Sequence, residues 1–292
     1  MNFTKWQGLG NDFILVETGN KGDSLPEDAL PVFSRRICDR KFGVGGDGLV
    51  LLAPGSREVL SMRIFNSDGS EAEMCGNALR CVAKYAYERG LVEKRVFKVE
   101  TKAGVKVSEV ILEGQKVSAV RLDMGEPVLE RELIPVLGTA GTKVIQEDLE
   151  VNGDSLKFTA VSMGNPHCLI FVSDVSSVDV QCLGPLLENH YLFPKRINVE
   201  FIEIKNQEEI VVRVWERGAG ETLACGTGAC ASVVGGALTG RTGRRVRVNL
   251  PGGQLSVEWA ENNHVYLTGP AEEVFQGSLK RDFLDCSEGR GL

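Results

Sequence analysis

The chain has 292 residues, 42% of them hydrophobic and 25% charged, with a formal charge of −7. Such a composition supplies enough apolar side chain for one large domain or two of about 140 residues, and it excludes a disordered chain. The acidic balance and the lack of any basic run exclude a phosphate-tracking nucleic-acid binder, and the longest aliphatic stretch, 49–53, is far short of the roughly 20 residues that cross a bilayer.

Met1 to Trp6 runs straight into a strand-like segment with neither a charged-then-apolar leader nor a Ser/Arg-rich transit sequence. The expectation is a cytoplasmic protein, or a plastid-stroma protein whose leader has been removed. Gly8-Leu9-Gly10-Asn11 then forms a turn leading into the apolar run Phe13 to Val16. An amphipathic helix is predicted over 28–39. The glycine-rich stretch Gly43 to Gly48 lacks the lysine and following helix of a phosphate loop, and reads as a tight turn before a strand at 49–53. A strand at 60–65 leads to the loop Asn66-Ser-Asp-Gly-Ser-Glu-Ala-Glu-Met-Cys75-Gly76-Asn77. A helix over 78–90, a strand over 95–101 and a linker near 125–135 follow.

The second half repeats the landmarks in order. Ser162-Met163-Gly164-Asn165 precedes the apolar Cys168 to Phe171, a helix is predicted at 180–190, and strands at 198–204 and 210–215. The loop Glu216-Arg-Gly-Ala-Gly-Glu-Thr-Leu-Ala-Cys225-Gly226-Thr227 leads to a helix over 228–240, then strands at 244–250 and 264–268. Aligned on their cysteines, the two loops also match at Glu71 and Glu221. A spacing of about 150 residues is too long for a solenoid unit, so each copy is a whole domain. Both helices are apolar on most faces and must lie inside protein, and each ends at a glycine suited to a left-handed cap, Gly90 and Gly240. The predicted fold class is α+β: two pseudo-symmetric domains, each a curved, mostly antiparallel sheet wrapped around a central buried helix. The domains are expected at 1–126, carrying Cys75, and 127–270, carrying Cys225, with 271–292 free to return to the first.

Glycine is over-used, 34 of 292 residues or about 12% against an average near 7%, and the excess gathers in these loops. Eight cysteines would suit four disulfides in a small secreted protein, but this chain can be stabilised by burial, so they are read as thiols. No C-x-x-C occurs and the three histidines show no ligand spacing, so no metal is expected. Cys38, Cys81, Cys168, Cys182, Cys230 and Cys286 read as packing residues. Cys75 and Cys225 differ, because a thiol just before a buried helix meets unpaired amides and the positive end of the dipole. That field is worth about 0.3–2 kcal/mol, enough to lower a thiol by about one pKa unit. Two such thiols facing one cavity titrate as a pair and favour one thiolate with one thiol. One sulfur can then remove an α-proton while the other returns a proton to the opposite face. Gly76 and Gly226 let amides approach a substrate carboxylate, where they would do the work of an electron-sink cofactor.

At Met74-Cys75-Gly76-Asn77 and Ala224-Cys225-Gly226-Thr227-Gly228 the chain resembles the diaminopimelate epimerase family. The likeness runs nearly end to end, through Gly8-Leu-Gly-Asn-Asp-Phe13, Phe65-Asn-Ser-Asp-Gly-Ser70, Gly164-Asn-Pro-His-Cys168, Arg196-Ile-Asn-Val-Glu200 and Trp215-Glu-Arg-Gly-Ala-Gly-Glu221. The resemblance implies cofactor-independent interconversion of LL- and meso-diaminopimelate, a step of lysine and peptidoglycan-precursor synthesis, with Cys75 and Cys225 catalytic. It implies that Gly76, Asn77, Gly226 and Thr227 bind the reacting carboxylate, and that Asn11, Asn66, Asn165, Asn198, Glu216 and Arg217 hold the distal end. His167 and Glu216 would tune the thiols. The expected partner is this small molecule, with no nucleic acid and no membrane, and a homodimer is left open. A proline- or hydroxyproline-type racemase of the same fold is the alternative, but its first cysteine motif continues His-Gly where this chain has Asn77-Ala78. A thiol redox protein is the second, separable by turnover without oxidant or reductant.

Overall fold

The computed structural model describes residues 1–19, 26–55, 59–280 and Phe283. It divides into two units, Asp123–Gly269 and Met1–Leu122 together with the described part of Pro270–Leu292. In chain order the first unit contains β1 (Asn2–Gly8), β2 (Asn11–Glu17), α1 (Leu30–Cys38), β3 (Gly48–Pro54), β4 (Leu60–Asn66), β5 (Glu71–Ala72), α2 (Gly76–Glu88), β6 (Val96–Thr101), β7 (Gly104–Glu113) and β8 (Lys116–Asp123). The second contains β9 (Glu147–Val151), β10 (Asp154–Ser162), β11 (Pro166–Val172), α3 (Val180–Glu188), β12 (Asn198–Asn206), β13 (Glu209–Glu216), β14 (Gly220–Thr222), α4 (Gly226–Leu238), β15 (Arg245–Leu250), β16 (Gly253–Trp259) and β17 (Val265–Gly269). The last strand, β18 (Glu272–Ser278), returns to pair with β1.

The two units share one topology. In the first the strands run β18-β1-β2-β3-β4-β6-β7-β8, and only the pairs β2–β3 and β4–β6 are parallel. In the second they run β9-β10-β11-β12-β13-β15-β16-β17, and the parallel pairs, β11–β12 and β13–β15, fall at the same places. Short β5 and β14 pair with β4 and β13 at the same register, Phe65 opposite Glu71 and Trp215 opposite Glu221. The duplication inferred from loop motifs is therefore a duplication of the whole sheet.

The helix after each cysteine is the core of its unit. In α4 every residue from Gly228 to Gly236 is buried, and in α2 every residue from Asn77 to Ala83. Small side chains allow this in α4, because a Cβ on Gly235 would fall 2.2 Å from Leu169 Cδ1 of β11. Both helices end as their glycines predict: Gly90 and Gly240 take positive φ, and the next amides, of Leu91 and Arg241, donate back to the carbonyls of Ala86 and Gly236.

The shorter helices cover the other side. In α1, Leu30, Phe33 and Ile37 share one buried face and pack with Ile14, Leu49 and Phe65. It starts at Leu30 rather than Asp28 because residues Glu27–Ala29 form a 3₁₀ turn. In α3, Asp179 caps the helix by accepting from the amide of Cys182. Phe158, Phe193, Val199 and Phe201 anchor the second core, the first two meeting edge-on at 5.7 Å. Each such fully buried side chain contributes about 1.5–3 kcal/mol of burial energy. Among the described residues no helix is long and apolar enough to cross a membrane.

Candidate active site

Both singled-out cysteines occupy the N-cap position, Cys75 of α2 and Cys225 of α4, each with extended backbone and with its carbonyl accepting the first helical hydrogen bond. Cys75 is half-buried and Cys225 is buried. The Cys225 sulfur accepts from the Gly228 amide at 3.4 Å and lies 3.5 Å from Thr227 Oγ1. Gly76 and Asn77, like Gly226 and Thr227, are the first residues of their helices, where backbone amides have no intrahelical acceptor.

The helix-terminus argument predicts a lowered thiol, and at Cys225 the structure reverses it. Burial, then the nearby carboxylates of Glu216 and Glu200, push the Cys225 thiol well above its ordinary value, outweighing the hydrogen bonds from Thr227 and Gly228. Desolvation also pushes Cys38 up to about 11 and Cys81 up to about 12, so these remain protonated packing thiols. Cys182 is exposed, and Cys286 lies outside the described residues.

In the first unit, Asn11 and Asn77 meet: Asn77 Nδ2 donates to Asn11 Oδ1 at 2.7 Å. Arg80 Nη1 donates to Asn77 Oδ1 at 2.9 Å while its Nε donates to the Pro270 carbonyl. On the other side, Asp47 accepts from Asn11 Nδ2 at 3.4 Å and from the Asp12 amide at 3.1 Å. Asn66 sits exposed at the end of β4 and donates to Ser70 Oγ at 2.9 Å. Glu71, which the loop alignment emphasised, ties β5 to β4 by pairing with Arg63, and Glu221 does the same with Arg213 at β14. Their repetition records a structural brace.

The anchor beneath Asn11 is ionic. Asp12 pairs with Lys5 at 2.7 Å and with Arg40 at 2.6 Å, and Arg40 reaches Asp47 at 2.8 Å. Burial would raise the Asp12 carboxyl, but Arg40 and Lys5 hold it down at about 2. Because an unfolded Asp titrates near about 3.9, this group favours the folded state above about pH 4, and the contribution is lost as pH falls from there through about 2. Arg40→Gln is expected to be less stable than wild type at pH 6, with the gap closing between about pH 4 and 2. Urea unfolding at stepped pH measures it, and a pH-independent gap would refute the assignment.

In the second unit, His167 is fully buried on β11, with Nδ1 2.6 Å from Glu200 Oε1 and Nε2 3.0 Å from Asn165 Oδ1. Asn198 is buried at the start of β12, donating to the Pro166 carbonyl at 2.8 Å and accepting from the Arg217 amide at 2.9 Å. It thereby fixes the backbone of Arg217, and each end of its amide keeps one further hydrogen-bonding position. The Arg217 side chain is exposed, with Nη1 3.1 Å from the Lys195 carbonyl. Glu216 closes β13 and accepts from Thr222 Oγ1 at 2.6 Å. Sequence reasoning missed Asp47, Arg80 and Glu200 as supports. The available signal was a charge where none belongs: Glu200 within the apolar run Val199 to Ile202, and Arg80 between Leu79 and Cys81 of a buried helix.

Comparison with known proteins gives these features a family. The family model described as diaminopimelate epimerase matches residues 3–130 and 159–274, a span that takes in both cysteine caps. The chain belongs to the diaminopimelate epimerase family. It is 60% identical to the diaminopimelate epimerase of Pelotomaculum thermopropionicum, covering 95% of this chain and 98% of that one. With the enzyme of the same name from Moorella thermoacetica the identity is 56%, over 97% and 100%. Among solved structures, a Bacillus anthracis phenazine biosynthesis protein of the PhzF family superposes with a TM-score of 0.69 at 17% identity, covering 96% of this chain and 99% of that one. A probable proline racemase from Agrobacterium radiobacter does so with 0.69 at 16%, over 98% and 94%. At those identities the structural matches speak to the shared two-unit fold alone.

Proposed function

We propose that this member of the family epimerises LL-2,6-diaminopimelate to meso-diaminopimelate without a cofactor, using Cys75 and Cys225 as an acid–base pair. The observation that carries the reading is the pairing of identical roles in the two units: in each, one cysteine caps the buried central helix at the same point of the same topology. The near-complete coverage of relatives named diaminopimelate epimerase supports the substrate.

Inversion at a carbon requires a base on one face and an acid on the other. A thiolate takes the α-proton and becomes a thiol. The electron pair left on carbon delocalises into the adjacent carboxylate, where amides at the starts of α2 and α4, at Gly76, Asn77, Gly226 and Thr227, offset the new charge. The second thiol then gives its proton to the carbon and is left as thiolate. Nothing is oxidised or reduced, and the enzyme ends with its two protonation states exchanged. The exposed Arg217, on a backbone held by Asn198, offers a two-pronged donor for the distal carboxylate, Glu216 a carboxylate for the distal ammonium, and Asn11, Asn66 and Asn165 directional hydrogen bonds. We place the reaction in the cytoplasm, whose reducing poise keeps such a thiol pair active.

The test is a substrate panel. Reduced protein is incubated with LL-diaminopimelate, L-proline or trans-4-hydroxy-L-proline, and the products are resolved by chiral chromatography. Meso-diaminopimelate from the first and no inversion of the others is expected; inversion of a proline with diaminopimelate untouched would replace the reading.

A further inference from the structure

The shared topology allows the two halves to be compared residue by residue. In the first unit Phe13 pairs with Gly48 across the parallel β2–β3 ladder, and Gly48 lies opposite Asn66. In the second, His167 pairs with Asn198 across β11–β12, and Val199 lies opposite Trp215 as Leu49 does opposite Phe65. The register therefore matches His167 with Phe13, Glu200 with Val50, and, counting from the two cysteines, Gly228 with Ala78. Three apolar residues of one half, Phe13, Val50 and Ala78, have a histidine, a carboxylic acid and a glycine as their counterparts at the equivalent positions of the other.

These three exchanges form one device. Glu200 is fully buried on β12; its Oε1 meets His167 Nδ1 at 2.6 Å, and its Oε2 has no hydrogen-bond partner among the described residues. The carboxylate reaches the first turn of α4 only because residue 228 lacks a side chain: a Cβ there would lie 2.5 Å from Glu200 Oε1 and 3.3 Å from Cys225 Sγ. An incompletely satisfied buried carboxyl is costly, and Val50 shows that the fold accepts an apolar residue at this position. Groups kept at such expense concentrate at functional sites.

We propose that Glu200 is a positioning residue that makes the two cysteines of the acid–base pair unlike, holding Cys225 in its protonated form by placing a carboxylate beside the start of α4, where the Cys75 half has Val50. The proposal rests on the reading of Cys75 and Cys225 as that pair. Two thiols in equivalent frames would share one ionisation with no fixed order. Burial raises the Glu200 carboxyl and the adjacent His167 opposes that rise; in its ionised form a carboxylate close to one thiol supplies the order, since a like charge opposes formation of the thiolate. Burial is the largest influence that keeps Cys225 protonated; the charges that add to it are Glu216 from the end of β13 and then Glu200 from β12, opposed by the Thr227 hydroxyl and the Gly228 amide of α4 itself. His167 of β11 stands on the other side of Glu200 and fixes its orientation.

The test follows alkylation of the full-length reduced protein by iodoacetamide across a pH series, with peptide mass spectrometry resolving Cys75 from Cys225. In the wild type the Cys75 midpoint is expected below that of Cys225. Glu200→Gln, which keeps shape and removes charge, lowers the Cys225 midpoint by about one pH unit or more and leaves Cys75 in place, while Glu200→Asp keeps it near the wild-type value. A Cys225 midpoint at or below that of Cys75 in the wild type overturns the proposal without need of any variant, and so does a Cys225 midpoint that Glu200→Gln leaves unmoved or raises. Turnover measured on unalkylated portions of the same preparations separates the two levels. A wild type that makes no meso product removes the epimerase reading, whereas an active enzyme whose Cys225 ignores the substitution removes the role of Glu200 alone.

Discussion

Cys225→Ala and Cys75→Ala are each expected to lower conversion of LL- to meso-diaminopimelate by about 10²–10⁴-fold or more, the range contributed by a positioned proton-transfer group. The double variant should be little worse than either single one, because residues that act as one unit fail together. Folding should survive. Cys225 gives its helix only a long sulfur acceptor for the Gly228 amide, Cys75 makes no side-chain cap hydrogen bond, and loss of a true side-chain cap costs about 1 kcal/mol. Circular dichroism beside initial rates measures both parts. A single variant with near wild-type turnover would remove that cysteine from the chemistry.

Arg217→Ala carries the second largest expected effect. Its guanidinium is exposed on a backbone that the buried Asn198 fixes, so truncation removes a pre-placed fork without disturbing the core. Charge-assisted hydrogen bonds are worth about 1.5–3 kcal/mol, so kcat/KM for diaminopimelate should fall by about 10- to 100-fold, mainly through KM. Arg217→Lys should recover only part of this, because a point charge cannot form two parallel bonds to a carboxylate. Steady-state kinetics on the three proteins decides it, and unchanged constants in the alanine variant would refute distal recognition by Arg217.

Much of the architecture was legible because the informative features are local. A cysteine, a glycine and a run of predominantly small or apolar residues ending at Gly90 or Gly240 specify a buried helix with a left-handed cap, and the repeated loops mark the duplication. Several of the strands that escaped notice have sequences that look solvated: β7 and β8 carry Lys106, Glu109 and Lys116, and β18 begins with Glu272 and Glu273 and is mostly exposed. Their pairing partners, not their composition, make them strands. The supports of the site escaped for a related reason. That His167 meets Glu200 depends on the register of two parallel strands 33 positions apart. That Asp47 holds Asn11 depends on a neighbouring pair of the other unit. The sign of the Cys225 shift belongs to the same class. A helix terminus is visible in sequence, whereas burial and two carboxylates brought from β12 and β13 are not.

The central claim, inversion by proton exchange between two thiols and the α-carbon, is tested most directly by the fate of the α-hydrogen. LL-diaminopimelate incubated in D₂O with the reduced protein should yield, in the first few per cent of turnover, meso product with one α-deuterium, alongside remaining LL substrate that carries almost none. Meso product that keeps its original α-hydrogen would contradict two-base inversion.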